Sequence, residues 1–133
     1  MPLIKKTRYT FFLISLLLVA VHSSAQIPEE IVLSLNSGNS KILSRYFNQN
    51  VELVVLENDN VYSKAQAQQI VANFFSSYPP ESFTIAFDGG KEGAKYVIGN
   101  LKTKNGNFRV YLLLKKNEGK DYIHQLRIES ITR

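Results

Sequence analysis

The stretch SKAQAQQIVANFFSSYPP, residues 63–80, constrains the fold more than any other part of the chain. Ala67, Ile70, Val71, Phe74, Phe75 and Tyr78 recur at the three- and four-residue spacing of one helix face, and Gln66, Gln69, Asn73 and Ser76 fall on the other. Ser63 and Gln66 stand at the spacing of a capping box, and Pro79–Pro80 stop the helix. Burying each large side chain of the stripe contributes about 1.5–3 kcal/mol, so the stripe needs an apolar surface to cover it.

The rest of the chain supplies that surface. SFTIAFD (82–88), AKYVIGNLKT (94–103), FRVYLLLKK (108–116) and YIHQLRIESI (122–131) read as successive strands, joined by DGGKEG (88–93), a turn at Asn105–Gly106 and a turn at Asn117–Lys120. Phe83, Ile85 and Phe87 alternate onto one face of the first of these. Upstream, PEEIVLSLN (28–36) and NSKILSRYF (39–47) read as two short helices separated by Gly38. VELVVLE (51–57) reads as a strand, ENDN (57–60) as a turn, and Val61–Tyr62 as a short return strand. Helices and strands in separate runs mean an α+β fold. The expected architecture is a curved antiparallel sheet wrapped around one long helix, with an N-terminal helical hairpin beside it.

The first 25 residues stand apart. Lys5, Lys6 and Arg8 precede FFLISLLLVAV (11–21), and Ser23 and Ala25 occupy the small-residue positions of a cleavage site. This is the pattern of a secretory signal peptide cut between Ala25 and Gln26. The apolar run is about half the ~20 residues a spanning helix needs, so no stable membrane span is expected after cleavage. The expected product is a single domain, 26–133, exported to the periplasm or the extracellular space. The chain has no cysteine, so it folds without disulfides. Of its 16 basic residues three lie in the leader, which leaves 13 against 11 acids. That balance, with lysines spread over turns and strand ends, does not form the basic stripe of a nucleic-acid binder.

Three stretches together, NSKILSRYFNQNVEL (39–53), VYSKAQAQQIVANFF (61–75) and GNFRVYLLLKK…IHQLRIE (106–129), resemble domain-of-unknown-function family 4783 of small exported bacterial proteins. That family belongs to the nuclear transport factor 2-like superfamily of cone-shaped, cystatin-like α+β folds. The resemblance implies the fold and export, and implies no reaction. The superfamily holds isomerases and dehydratases, which place carboxylates, tyrosines or histidines inside the cone, and also ligand binders, adaptors and dimers.

Candidate sites follow from strand alternation. Tyr122, His124, Leu126 and Ile128 share a face, which makes His124 an inward general-base candidate with Glu52 or Tyr122 assisting. A base needs an orienting partner, and the other acids sit mostly in turns and at element ends. One histidine without cysteine does not make a zinc set, and no metal or cofactor is expected. Phe47, Phe74, Phe75, Phe108, Leu112, His124 and Leu126 are candidates for lining the cone, either filling it or leaving room for a small apolar ligand. Tyr96, Ile98, Tyr111 and Leu113 put apolar groups on the opposite side of the sheet. They are either scattered exposed residues or a contact surface for a second copy or an envelope protein. The expected function is a non-enzymatic binding or interaction module, a homodimer candidate. The alternatives are an isomerase- or dehydratase-like enzyme using His124, and a structural subunit of an envelope assembly.

Overall fold

The computed structural model describes residues 26–131; the expected leader and its Ala25–Gln26 cleavage site lie outside the described residues or at their edge. Helix α1, Glu29–Ser37, begins after Pro28 and has Glu29 and Glu30 in its positive first turn. Gly38 ends it in the left-handed conformation (φ 69°), where Asn39 N–H donates to the Ser34 carbonyl. A Cβ on Gly38 would also lie 2.8 Å from the Pro80 ring, so this turn suits glycine twice over. Helix α2, Ser40–Ser44, is capped by the Asn39 side chain, which accepts from Ile42 N–H at 3.1 Å.

Here the structure departs from the helical spacing of 39–47. The helix stops at Ser44 and strand β1 runs Phe47–Val55. The Tyr46 carbonyl accepts from Ile123 N–H, and Phe47 pairs with Ile123. Sheet pairing outweighs a helical periodicity only five to nine residues long, because an isolated helix of that length is marginal. A two-residue turn, Leu56–Glu57, with Leu56 at φ 55°, leads into β2, Asn58–Ser63.

Helix α3, Lys64–Ser77, has its reciprocal capping box. Ser63 Oγ accepts from Gln66 N–H, and Gln66 Oε1 accepts from Ser63 N–H, each at 3.2 Å. Ala67, Val71, Phe74 and Phe75 are buried, with Ile70 and Tyr78 packed at the margin of the core.

Strands β3 (Pro80–Lys91), β4 (Ala94–Thr103), β5 (Gly106–Asn117) and β6 (Lys120–Ser130) form the expected antiparallel meander. The sheet is nevertheless mixed, not wholly antiparallel. All six strands join in the order β2-β1-β6-β5-β4-β3, and β1 runs parallel to β6. The connection from β1 to β6 passes through α3, which packs back on β1 and β2, while α1 packs on β3. The β4–β5 turn is Lys104–Asn105, and Gly106 (φ 132°) opens β5. Thr103 Oγ1 holds this turn by donating to the Gly106 carbonyl at 2.6 Å and accepting from Asn105 N–H at 3.1 Å.

The helices cover one face of the sheet. Val51, Leu53, Val55, Phe83, Val97, Leu101, Phe108, Val110, Leu112, Leu114, Ile123, Leu126 and Ile128 are buried there in one cluster with the α3 stripe, Ile31, Leu35, Leu43 and Phe47. Among the described residues nothing covers the other face.

Candidate functional site

Two of the sheet's register shifts move side chains off the face that alternation assigns them. In β6, Leu114 pairs with Ile123 and Leu113 with Gln125, so His124 is an extra residue in a bulge. Ile123, not His124, joins Leu126 and Ile128 on the buried face. His124 is half-buried, lies outside the core cluster, and makes no side-chain hydrogen bond among the described residues. In β3 the register shifts between Ile85 and Phe87. Phe83 stays inside, while Phe87 turns to the uncovered face, 56 % exposed, and stacks on Tyr96 with ring centroids 5.8 Å apart.

Glu52 is exposed, paired with Val61 and Gln125, while Val51 and Leu53 take the buried positions around it. The expected inward Glu52 is therefore corrected to an outward one. Tyr122 pairs with Lys115, next to Ile123 rather than on its side of the strand. Glu52, His124 and Tyr122 form no hydrogen-bonded constellation among the described residues. Among those residues, too, no group of three or more His, Cys, Asp or Glu side chains could hold a metal ion.

Phe47, Phe74, Phe75, Phe108, Leu112 and Leu126 are packed on one another in the core. The Phe108 ring meets Phe74 edge-on at 5.0 Å and Tyr78 at 4.9 Å, which interlocks α3 with β5. The buried polar side chains described are Ser34, Ser44 and Thr103. Their hydroxyls donate to the carbonyls of Ile31, Lys41 and Gly106, so each is spent on the backbone.

The uncovered face is different. Tyr96, Ile98, Tyr111 and Leu113 stand on it together: Tyr96 pairs across strands with Leu113, and Ile98 with Tyr111. Phe87 extends the group through its stack on Tyr96, which sequence reasoning missed because the bulge that turns it has no period. Gly89, opposite Tyr96, leaves room for the phenol: a Cβ there would fall 2.6 Å from its hydroxyl. Polar rows border the group. On one side lie Thr84, Asn100, Arg109 and Glu129; at β6 lie Gln125 and Arg127. Arg127 donates to Glu129 through Nε at 3.1 Å and Nη2 at 2.6 Å. An open depression of about 610 Å³ at the end of this face is lined by Ser82, Thr84, Asn100, Leu101, Lys102, Asn107, Arg109 and Ile131.

A second depression, about 420 Å³, sits at the rim where α1, α2 and β6 meet. Its walls are Pro28, Arg45, Tyr46, Lys120, Asp121 and Tyr122. Burial first, and then the charge of nearby Glu30, hold the Tyr46 phenol above its ordinary value of 10.0. Asp121 accepts from Lys95 Nζ at 3.2 Å, and the same ammonium donates to the Gln26 carbonyl at 2.8 Å.

The sequence matches the model of a family described as Domain of unknown function (DUF4783) over residues 28–129. The chain belongs to the DUF4783 family. A DUF4783 protein from Bacteroides ovatus has a crystal structure similar to this one, with 33% identity and a TM-score of 0.77, covering 83% of this chain and 100% of that one. An ntf2-like protein of unknown function from Shewanella baltica is similar at a TM-score of 0.58 and 15% identity, covering 79% of this chain and 88% of that one. A domain of unknown function with a cystatin-like fold from Nostoc punctiforme is similar at a TM-score of 0.62 and 8% identity, covering 79% and 73%. The DUF4783 chain is thus an α+β domain of the nuclear transport factor 2-like, cystatin-like kind. No curated protein matches it. Among the described residues no helix is long and apolar enough to cross a membrane.

Proposed function

We propose that the protein is an exported, non-enzymatic interaction module whose uncovered sheet face pairs with the same face of a second copy. The observation that carries this reading is the cross-strand register of that face. Its rows are Phe87–Ile98–Tyr111–Arg127, Gly89–Tyr96–Leu113–Gln125 and Thr84–Asn100–Arg109–Glu129. A two-fold axis lying along the strands between β4 and β5 exchanges the ends of each row. Ile98 then opposes Tyr111 of the second copy, Tyr96 opposes Leu113, and Asn100 opposes Arg109. Phe87 opposes Arg127, a cation over a ring, and Thr84 opposes Glu129. Apolar meets apolar at the centre, polar meets polar at the margin, and no two like charges meet. Self-complementarity of this kind is what an isologous interface requires. Two sheets packed in this way lie about 10 Å apart with their strands roughly aligned, so the central rows keep their partners despite the sheet twist.

The interior favours the same conclusion from the other side. Its described polar groups are three hydroxyls bonded to backbone, and its large side chains interlock where a ligand would sit. Export rests on the leader pattern of residues 1–25. The test is sedimentation of the protein purified from the envelope of its own host. The expected result is a dimer, with Leu113→Glu weakening association at least tenfold while the far-UV circular dichroism is retained. Wild-type protein that stays monomeric at roughly millimolar concentration, a limit of about 4 kcal/mol of association energy, sinks the self-pairing. N-terminal sequencing of the same material starts at Gln26 if the leader is removed as expected.

A further inference from the structure

We propose that the rim depression between Tyr46 and Tyr122 is a binding site for a small organic carboxylate carrying a flat ring. This goes beyond the self-pairing face, because none of the residues that wall the depression belongs to the three rows of that face.

Four observations converge. The depression holds about 420 Å³, within the ~300–1,000 Å³ range of small-molecule sites. It is walled by two phenol rings and Pro28, surfaces that accept a planar body. Two cations, Arg45 and Lys120, stand in the same wall, and neither makes a side-chain hydrogen bond or ion pair among the described residues. Asp121 is met by Lys95 at 3.2 Å, with both side chains largely buried (13% and 14% exposed), while Glu30 keeps its negative charge beside the Tyr46 phenol. Arg45 and Lys120 outnumber that one carboxylate, so the balance of charge at the space is positive. A guanidinium presents two parallel N–H groups that match a carboxylate, and a nearby ammonium adds a point charge.

The frame around the depression is also fixed. Lys95 links β4 to both Asp121 of β6 and the Gln26 carbonyl, so the start of the described chain is tied to the sheet beside the space. Ile123 N–H donates to the Tyr46 carbonyl, which locks the segment carrying Arg45 and Tyr46 onto β6. A ligand here meets a backbone frame already in position, while the exposed Arg45 and Lys120 side chains must still order on it.

The experiment is an NMR titration of the exported protein with benzoate, glucuronate, acetate and benzamide. Benzoate is expected to shift the ring signals of Tyr46 and Tyr122 saturably; glucuronate, whose ring is a puckered chair, is expected to bind at least tenfold more weakly. Acetate, which lacks the ring, and benzamide, which lacks the charge, are each expected to bind at least tenfold more weakly. Arg45→Gln with Lys120→Gln is expected to weaken the acid at least tenfold, and added salt to weaken it further. Leu113→Glu, which disrupts the pairing face, leaves the titration unchanged, so failure of self-pairing and failure of this site are read separately. Benzamide binding as tightly as benzoate overturns the proposal. So does affinity unaltered in the folded double variant, or the absence of any saturable shift from benzoate into the tens of millimolar, where binding is worth under about 3 kcal/mol.

Discussion

The two faces of the sheet are built from the same strands, residue by alternate residue, yet they answer to different demands. The helix-covered face carries Val97, Leu101, Phe108, Val110, Leu112, Leu114, Leu126 and Ile128, all at most 3% exposed. The uncovered face carries Tyr96, Ile98, Tyr111 and Leu113, half-buried or exposed, set among Arg109, Arg127, Gln125 and Glu129. Neighbours in sequence such as Leu112 and Leu113 therefore play unlike parts. One completes a closed interior, and the other lies on a surface whose apolar groups nothing among the described residues covers. Hydrophobicity alone does not separate them; the face of the pleat does.

The sharpest way to break this contrast is to truncate one leucine on each face. Leu126→Ala removes a fully buried side chain and is expected to cost about 2–5 kcal/mol of unfolding free energy. Leu113→Ala, measured by urea denaturation under conditions where the protein is monomeric, is expected to cost less than about 1 kcal/mol. Equal losses would mean that the second face is also core. A smaller effect is expected at Gly99, where Phe83 crosses the strand. An alanine Cβ there would come within 2.4 Å of the Phe83 ring and 2.9 Å of the Thr84 carbonyl oxygen, neither of which can yield freely. Gly99→Ala is expected to cost about 1–3 kcal/mol, and pairing it with Phe83→Leu to recover part of that. No recovery would mean that the backbone contact, not the ring, sets the cost.

The smallest effect is electrostatic and belongs to the rim. The Tyr46 phenol is held above 10.0 in the folded chain, so its neutral form is favoured by folding. The associated stability is fully present below about pH 10, the unfolded value, and is lost as pH rises through the higher folded value. Alkaline titration of phenol absorbance is expected to show a late component that is missing in Tyr46→Phe. If that variant titrates like the wild type, the burial and Glu30 charge assigned to this phenol are misplaced.

Long-period features were legible in the sequence. The α3 stripe repeats over three turns and its cap is a local hydrogen-bonded pair, so both survive any rearrangement of neighbours. The alternation of β4 and β5 is equally plain, and Tyr96, Ile98, Tyr111 and Leu113 do share one face. The candidate catalytic residues were not legible. A one-residue bulge has no signature in a two-residue period, yet it reverses every assignment beyond it. The bulge at His124 brings Ile123 into the core in its place, and the shift before Phe87 turns that ring outward. The turn at Lys104–Asn105 was missed by one residue because Thr103 bonds it from the preceding strand, an interaction that turn propensity ignores.

By itself, the sequence determined which segments are helix and which are strand wherever the pattern exceeds two turns or four alternations, and therefore the α+β class. Local propensity and amphipathic spacing suffice for that, because each is a property of neighbours along the chain. Only the tertiary structure decided that Phe47 opens a strand, that β1 lies parallel to β6, and that His124 leaves the interior while Phe87 reaches the surface. Those outcomes depend on hydrogen bonds between segments some 75 residues apart, such as Ile123 N–H to the Tyr46 carbonyl, and no local pattern encodes the partner at the far end.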